Sequence, residues 1–277
     1  IPQIGTIRAE RFGCRSHASV KTDGKGHPGF YAKDSHTVIP FPGEGCRLLC
    51  PSLRDALKGI HEPENEVKAA AGSDGKAHLS YGGEVFITDE ENGIVYRREI
   101  RSFFQSNRFL RQEMISQVLK LAQLSADTTV LDLGCGSGFF TLQAARLCGE
   151  AHGIDISAES ISAAKKNAAA NGIANVRFEA KPDDRAHPYR DRADIVIADP
   201  PRAGLSTKTK KTVTAMEPER IVYVSCNPTT WARDLKEFTG AGYALKACTM
   251  IDMFPGTGHI EVISLLSRNE RTTDRHR

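Results

Sequence analysis

One cysteine stands where an apolar stretch of the chain gives way to a proline-containing turn. Residues 220–224 read RIVYV, and Ser225-Cys226-Asn227-Pro228 follow directly. A thiolate at the end of a strand can act as a nucleophile, whereas a thiol packed in the interior is inert. The seven cysteines, an odd count, are too scattered for a disulfide framework. We therefore expect Cys226 to be a free thiol.

A carboxylate motif occupies the corresponding place one strand earlier. The largely apolar residues 193–198 lead into Asp199-Pro200-Pro201-Arg202. Ligands of open parallel sheets bind beyond the carboxyl ends of the strands. If the two strands are neighbours, their ends lie about 5 Å apart, so Asp199 and Cys226 would line one pocket.

A glycine-rich turn follows a third apolar stretch. Residues 130–133 lead into the loop 134–138, which reads GCGSG, and the next strand ends at Asp155, about 20 residues on. Glycines let a ligand approach the backbone closely, and a carboxylate at that second position binds a ribose in doubly wound folds. A dinucleotide and S-adenosylmethionine both fit this pattern. The G-x-G-x-G spacing and the acidic Asp132 before it favour S-adenosylmethionine.

The elements that must position these residues form an α/β pattern from about residue 120. Short apolar stretches alternate with helix-like ones, as in βαβ units around a parallel sheet. We predict strands at 129–133, 151–155, 175–180, 193–198, 220–225, 244–251 and 259–266, and helices at 138–148, 158–171, 206–216 and 229–240. The last two strands follow one another without a helix, so one of them should run antiparallel. The predicted fold is α/β, a Rossmann-like doubly wound and mostly parallel sheet of seven strands with a smaller N-terminal β-containing domain.

The predicted domain organisation has four segments. Residues 1–95 are rich in turns and short strand-like pieces, and we assign them to the small β-containing domain. A connecting segment with a helix covers 96–124, the sheet domain covers 125–267, and a polar tail covers 268–277.

Composition narrows the function classes only partly. Hydrophobic residues make up 40% of the 277, which suffices for a core, and the net charge of +3 neither demands nor excludes a nucleic-acid partner. No apolar run approaches the roughly 20 residues needed to span a bilayer, and no leader stands at the start. We expect a cytoplasmic protein without a membrane partner.

Five motifs follow one another along the chain. They are Phe104-Gln105-x-Asn107, the glycine loop 134–138, Asp199-Pro-Pro-Arg-x-Gly-Leu205, Ser225-Cys226-Asn227-Pro228 and Met253-Phe254-Pro255-x-Thr257-x-His259-x-Glu261. In this order they resemble the motifs of the RNA uracil-C5 methyltransferases, which make 5-methyluridine in transfer and ribosomal RNA. The resemblance covers roughly residues 10–267. It implies a class I methyltransferase fold in 125–267 and S-adenosylmethionine as methyl donor.

The resemblance also implies a mechanism that needs these residue types. C5 of uracil is a poor nucleophile, and addition of the Cys226 thiolate at C6 makes the ring electron-rich enough for C5 to attack the methyl group. Glu261 is implied to remove the C5 proton so that the thiolate can leave. Asp155 is expected on the ribose hydroxyls of the cofactor. The residues implied to contact the cofactor are Gln105, Gly134, Asp155 and Asp199.

The implied partner is a ribosomal or transfer RNA. Its target uridine must be unpaired or turned out to reach Cys226. Cationic contacts to the RNA backbone are expected from Arg97, Arg98, Arg101, Arg108 and Arg111, and from Lys208, Lys210 and Lys211. An ordinary solvated face is an equal alternative for the lysines. We expect the chain to be a monomer.

Two features found in some members of the family bear on what this sequence contains. Many members carry an N-terminal RNA-binding β-barrel, for which we find no segment here. Some hold a [4Fe–4S] cluster on four cysteines, the last followed by proline, a position that Cys50-Pro51 matches. Cys46 and Cys50 alone cannot ligate such a cluster. We expect one only if an upstream segment is missing, with Cys50 as one ligand and no other metal site.

Two other functions compete with this interpretation. A methyltransferase acting on an exocyclic amine of adenine or guanine also uses a (D/N)PP loop, but it places an aromatic residue after the prolines and needs no cysteine. Arg202 and Cys226 both argue against it. A non-catalytic RNA-binding factor that has kept the fold is the second alternative.

Overall fold

The structure is a computed structural model that describes residues 2–63, 66–186 and 193–269. These residues fall into two compact units. The larger unit comprises the described residues of Ile1–Ile7, Met114–Asp252 and Gly258–Arg277, and the smaller unit comprises those of Arg8–Glu113 and Met253–Thr257. Most of the predicted polar tail, from residue 270 onward, lies outside the described residues.

The strands and helices of the described residues are as follows. The strands are β1 (Ile4–Ile7), β2 (His17–Thr22), β3 (Pro28–Tyr31), β4 (Val38–Pro40), β5 (Glu66–Ala71), β6 (Ala77–Ser80), β7 (Phe86–Glu91), β8 (Ile94–Glu99), β9 (Thr129–Leu133), β10 (Glu150–Asp155), β11 (Val176–Ala180), β12 (Ile195–Ala198), β13 (Arg220–Ser225), β14 (Tyr243–Ile251) and β15 (Glu261–Arg268). The helices are α1 (Pro51–Lys58), α2 (Arg111–Ala122), α3 (Thr141–Ala145), α4 (Ala158–Ala170), α5 (Thr207–Ala215) and α6 (Pro228–Gly240).

The larger unit is built on one sheet with the strand order β1-β14-β15-β13-β12-β9-β10-β11. Its neighbouring strands are parallel except where β15 pairs with β13 and β14, so the predicted antiparallel strand is confirmed. The chain order reverses between β9 and β12, which makes this the topological switch point where ligands of doubly wound sheets bind. The central strand β12 is buried throughout and apolar, as a parallel strand covered on both faces requires.

The sheet contains eight strands in the described chain, one more than the seven predicted. The extra strand is β1, which the sequence assigned to the small domain. It lies at the edge and pairs in parallel with β14, from Ile4 opposite Cys248 to Ile7 opposite Ile251. Its residues are mostly exposed, so it carries no apolar alternation and joins the sheet mainly through its backbone.

Helix α3 is much shorter than the predicted 138–148. At its start the reason lies in the glycine loop, where Gly136 and Gly138 have φ values of 53° and 92°. A right-handed helix cannot pass through such residues, so it begins only after them. The helices α4, α5 and α6 lie within one residue of their predicted ends.

The smaller unit contains a five-stranded antiparallel sheet, β4-β3-β2-β5-β6, and the separate hairpin β7-β8. Helix α1 covers this sheet because Leu53 and Leu57 point to one side, where they pack in a buried cluster with Val20 and Val67. The predicted fold class, a large mostly parallel sheet with a small N-terminal β-containing domain, is confirmed. No helix of the described residues is both long and apolar enough to cross a bilayer.

Candidate active site

Cys226 and Glu261 emerge at the same edge of the sheet from adjacent antiparallel strands. The pairing of β13 with β15 ends at Ser225 opposite Val262, and one further step in this register sets Cys226 opposite Glu261. Opposite residues of an antiparallel pair have Cβ atoms about 5 Å apart. Glu261 is buried, whereas Cys226 is a partly exposed free thiol. Cys226 is therefore not sealed in the interior of the protein.

The carboxyl group of Glu261 is adapted to exchange a proton near neutral pH. Burial raises its pKa to about 7, and the guanidinium group of Arg202 opposes that rise. A base with a pKa close to the working pH has a large ionised fraction and is still a strong proton acceptor. Glu261 can therefore act as a general base in this position.

The surroundings of Cys226 disfavour ionisation of its thiol. Its pKa is raised by burial first, and then by the negative charges of Glu261 and Asp199, whereas Arg202 lowers it. The resting protein therefore holds mostly the thiol form, and a thiolate has to be generated when the site is occupied. Arg202 is the cation that favours both ionised groups.

Arg202 is itself oriented by a histidine of the same unit. Its Nη2 atom lies 3.0 Å from Nδ1 of His259, two residues before Glu261. This contact suits a positioning role for His259.

Asp199 follows β12, the strand between β9 and β13. Its main-chain N–H donates to the carbonyl of Leu133 at 3.1 Å, which holds it beside the glycine loop. Burial, followed by the charges of Glu261 and Asp132, raises the pKa of Asp199 well above its ordinary value. The carboxyl groups of Asp199 and Glu261 thus share one electrostatic environment with the sulfur of Cys226.

The start of helix α6 holds the loop that follows Asp199. Asn227 caps the helix by accepting from the N–H of Thr229 at 3.1 Å, while its Nδ2 donates to the carbonyl of Arg202 at 3.1 Å. The hydroxyl of Thr230 donates to the same carbonyl at 3.1 Å. The Ser-Cys-Asn-Pro motif therefore does two things: it presents the sulfur and it anchors the loop that carries the arginine.

Asp234 ties this loop to the core, and the sequence analysis missed it. Its carboxylate is fully buried and accepts from Lys210 Nζ at 2.6 Å, Tyr223 OH at 2.7 Å and the N–H of Leu205 at 2.8 Å. These partners lie 11 to 29 residues away in the chain. No local pattern could have revealed a network of this reach.

Gly134 permits a close approach that no other residue could make. Its φ is +77°, and a Cβ atom built on it would lie 2.7 Å from the carbonyl oxygen of Asp199. The glycine loop is thus packed against the Asp199 loop through bare backbone. Gly136, with φ +53°, has open space where its Cβ would stand, as a surface that receives a ligand should.

Asp155 ends β10 next to the glycine loop. One carboxylate oxygen accepts from the N–H of Gly136 at 2.9 Å and the other from the N–H of Ser157 at 2.8 Å. Each oxygen keeps a further lone pair, so the carboxylate can also accept from two hydroxyls of a ribose. These residues fit the adenosine end of S-adenosylmethionine, because Gly136 leaves open space for a ligand and the Asp155 carboxylate beside it is held in place by two N–H groups.

Asp132 has a structural place rather than one on the ligand side. It is fully buried, one carboxylate oxygen accepts from Thr141 Oγ1 at 2.6 Å, and burial raises its pKa to about 7. This bond ties the first residue of α3 to strand β9. The acidic residue that favoured S-adenosylmethionine in the sequence therefore holds the loop in place.

Two of the predicted residues belong to the smaller unit. Gln105 is buried, and its main-chain carbonyl accepts from Arg111 Nε at 2.6 Å. Cys50 is buried in the core beneath helix α1, and no metal-binding group of three or more His, Cys, Asp or Glu side chains occurs in the described residues. The cofactor contact of Gln105 stays a prediction.

Two of the arginines expected to contact RNA are in the interior. Arg98 and Arg111 are buried and share Asp89, with nitrogen–oxygen distances of 3.0 and 2.8 Å, and Arg111 also meets Glu91 at 3.3 Å. An isolated buried charge is very costly, which is why these four groups occur together. The expectation that Arg98 and Arg111 bind phosphate is wrong.

Of the three lysines of helix α5 that were expected to contact RNA, one is buried and two are exposed. Lys210 is buried against Asp234 and Glu237, at 2.6 and 2.7 Å, so it is not available to RNA. Lys208 pairs with Asp184 at 3.0 Å, and Lys211 is exposed.

Comparison with protein-family models gives two matches in the larger unit. Residues 124–227 match a methyltransferase domain, and residues 189–269 match the tRNA (uracil-5-)-methyltransferase family. The predicted resemblance to the RNA uracil-C5 methyltransferases is confirmed. The second match includes Asp199, Cys226 and Glu261.

Individual proteins similar to this chain are also named RNA methyltransferases. The chain is 40% identical over 188 residues to an uncharacterized RNA methyltransferase of Halalkalibacterium halodurans, covering 66% of this chain and 41% of that protein. It is 36% identical over 219 residues to an uncharacterized RNA methyltransferase of Caldanaerobacter subterraneus, covering 79% and 48%. The chain thus spans a little under half the length of each of these relatives.

The fold of the RNA uracil-C5 methyltransferases is seen in a solved structure. The tRNA (uracil-54, C5)-methyltransferase of Pyrococcus abyssi, in complex with S-adenosyl-L-homocysteine, superposes with a TM-score of 0.79 at 22% identity. The match covers 95% of this chain and 79% of that one. At this identity the likeness establishes the fold.

Proposed function

We propose that the protein transfers a methyl group from S-adenosylmethionine to C5 of a uridine in ribosomal or transfer RNA through a covalent adduct with Cys226. The observation that carries this proposal is the position of a reachable thiol opposite a buried carboxyl whose pKa is about 7. The match of 189–269 to an RNA uracil methyltransferase family supports the substrate.

In this mechanism each residue has a defined task. Bound S-adenosylmethionine supplies an electrophilic methyl group on a sulfonium. The thiol of Cys226 loses its proton to solvent water, and its sulfur forms a bond to C6 of the uracil, which places negative charge on the ring. C5 then bonds to the methyl carbon as the sulfonium bond breaks. The carboxylate of Glu261 takes the C5 proton, the sulfur–C6 bond breaks, and the thiolate leaves.

Other residues of the larger unit support these steps. Arg202 lies where its charge favours the ionised forms of both Cys226 and Glu261. Asp155 and Gly134 are proposed to hold the cofactor, and Asp199 to line the space between the cofactor and the base. Gln105, a residue of the smaller unit, is proposed as a cofactor contact from the family resemblance alone. The seven cysteines, all free, are compatible with the reducing cytoplasm expected from the sequence.

The decisive experiment is covalent trapping. RNA transcribed with 5-fluorouridine has no removable proton at C5, so the wild-type protein with S-adenosylmethionine should form an RNA adduct that survives a denaturing gel. Cys226→Ala should form none and should lose methyl transfer while still binding RNA. Cys46→Ala is the matched control, because Cys46 is also a partly exposed free thiol.

Glu261→Gln sharpens this test. This variant can form the methylated adduct but cannot remove its proton, so it should accumulate a covalent complex with ordinary uridine RNA. A methyltransferase of exocyclic amines would keep its activity in Cys226→Ala, and a non-catalytic binding factor would incorporate no methyl group with any RNA. Either result would refute the proposed function.

A further inference from the structure

Three segments of the smaller unit run side by side and are fixed to one another by their backbones. They are residues 11–15, 46–50 and 106–109. The N–H of Gly13 donates to the carbonyl of Arg47 and the N–H of Arg108 donates to the carbonyl of Cys14, both at 2.9 Å. Arg108 Nε also donates to the carbonyl of Gly13 at 3.1 Å. Side chains on these segments therefore have a defined spacing.

These segments present arginines and phenylalanines together at the surface. We call this set the Arg/Phe surface, and it consists of Arg11, Phe12, Arg47, Arg108 and Phe109, all of them exposed. The guanidinium of Arg47 lies 4.0 Å from the ring centroid of Phe12, and that of Arg108 lies 4.8 Å from the ring of Phe109. Arg11 lies 5.5 Å from the ring of Phe12.

The charges of this surface are not used within the protein. Among the described residues, no carboxylate forms an ion pair within 4.0 Å with Arg11, Arg47 or Arg108. Glu10 and Glu44, the acids nearest along the chain to the first two, are exposed and pair with neither. By contrast, the interior Arg98 and Arg111 each pair with the carboxylate of Asp89, so the three exposed cations remain for a partner.

We infer that the Arg/Phe surface binds a single-stranded segment of the RNA substrate, an inference that rests on RNA being the substrate of the proposed function. Aromatic rings provide stacking platforms for unpaired bases, and arginines beside them meet the phosphates. Paired bases offer no free faces to Phe12 and Phe109, so a duplex should bind less well. Arginine over a ring also presents a flat cation on which a further base can stack.

The test measures RNA binding separately from methyl transfer. The probe is a fluorescein-labelled, uridine-containing RNA single strand, compared with the same strand annealed to its complement, and binding is followed by fluorescence anisotropy at several salt concentrations. The variants are Phe12→Ala and Arg47→Gln. The matched controls are Phe86→Ala and Lys33→Gln, an exposed phenylalanine and an exposed cation of the same unit that are not part of the Arg/Phe surface.

Phe12→Ala should weaken single-strand binding about fivefold or more, the loss expected for one stacked base. Arg47→Gln should reduce the slope of log K against log salt by about 0.7, the loss of one phosphate contact on a single strand. The control pair should change neither quantity. Melting curves by circular dichroism verify that each variant is folded.

Four other outcomes would overturn the inference, and a fifth would overturn the proposed function instead. Equal losses in the test and control pairs would mean that the surface has no special role, and a preference for the duplex would contradict stacking. Binding of polyglutamate in place of RNA, lost on Arg47→Gln, would assign the surface to an acidic protein. Methyl transfer by the wild type with normal RNA binding in both test variants would refute this surface and leave the proposed function intact. RNA binding through the Arg/Phe surface without any methyl transfer would support the surface and refute the proposed function.

Discussion

Cys226 lies opposite Glu261 in the continued register of two antiparallel strands, β13 and β15. The proposed nucleophile therefore directly follows the last paired residue of β13, and the proposed base is the first residue of β15, in the middle of the sheet. A reversed strand is what makes this possible, because the start of β15 meets the end of β13 at the ligand-binding edge. Their spacing does not depend on a flexible loop.

The rate at which free methylated RNA is formed should rise with pH through about 7, because its release from Cys226 requires removal of the C5 proton; the rates below refer to this product. Burial raises the pKa of Glu261 to about 7, and only the ionised carboxylate can accept the C5 proton. Single-turnover rates measured from pH 5.5 to 8.5 should give a limb with that midpoint. Glu261→Asp, which retains an ionisable group, should keep a limb, and Glu261→Gln should abolish it. A flat profile in the wild type would contradict the assignment of Glu261 as base.

Glu261 should also make the stability of the protein decrease as pH rises, whereas the rate increases. The pKa of Glu261 is raised from 4.5 to about 7 in the folded protein, so the folded state holds a proton that the unfolded state has lost. The free energy of unfolding contributed by this group is present below pH 4.5 and decreases up to pH 7. Urea denaturation should show that the free energy of unfolding of Glu261→Gln increases relative to that of the wild type between pH 5 and pH 8, by up to about 3 kcal/mol. A constant difference across this range would contradict it.

Arg202→Gln should move the acid limb of the rate profile to higher pH. The guanidinium lowers the pKa of both Glu261 and Cys226, so its removal leaves burial unopposed and makes both groups harder to ionise. Arg202→Lys keeps the charge and should keep the limb near its wild-type position, although it loses the planar contact with His259. A limb displaced equally by both substitutions would show that geometry, not charge, is the contribution of Arg202.

The sequence predicted the parts of this architecture that depend on local pattern. The alternation of apolar and helical stretches located the strands of the sheet from β9 to β15, and with them the strand ends that the Asp199 and Cys226 motifs follow. The same reasoning failed for β1, whose exposed residues have no pattern, and for α3, which two left-handed glycines shorten.

The sequence did not reveal which charged side chains are buried, and the reason is different. Arg98 and Arg111 look like surface cations because arginine is rarely buried, and their shared partner Asp89 lies 9 and 22 residues away. Only the fold brings the charges together. The same holds for Lys210, whose neighbour Lys211 is exposed on the same helix.

Gly134→Ala should disrupt the cofactor end of the site. The added Cβ would lie 2.7 Å from the carbonyl oxygen of Asp199, and φ +77° is strained for alanine. Binding of S-adenosylhomocysteine, measured by calorimetry, should fall by at least tenfold. Gly172→Ala is the matched control, since Gly172 has φ +66° but nothing near its Cβ, so it should lose only about 1 kcal/mol of stability and no affinity. Similar affinity losses in both variants would show that backbone strain alone is responsible.

Asp234→Asn should destabilise the larger unit strongly. The buried carboxylate is the partner of the buried ammonium group of Lys210 and also accepts from Tyr223 and the N–H of Leu205. Removing its charge leaves Lys210 without its fully buried partner, which costs about 3–5 kcal/mol when a buried pair is broken from one side. The double variant Lys210→Met, Asp234→Asn removes both charges and should recover part of that loss.

Guanidinium denaturation of the single and double variants checks this prediction, and methyl transfer adds a second measurement. Because Asp234 holds the main chain at Leu205, three residues after Arg202, both variants should lower the single-turnover rate even where they remain folded. Lys236→Met, which removes a lysine from the same helix α6, should leave stability and rate unchanged. If the double variant is no more stable than Asp234→Asn, the loss does not come from an uncompensated charge on Lys210, which Glu237 also contacts at 2.7 Å, but from the hydrogen bonds that the carboxylate accepts.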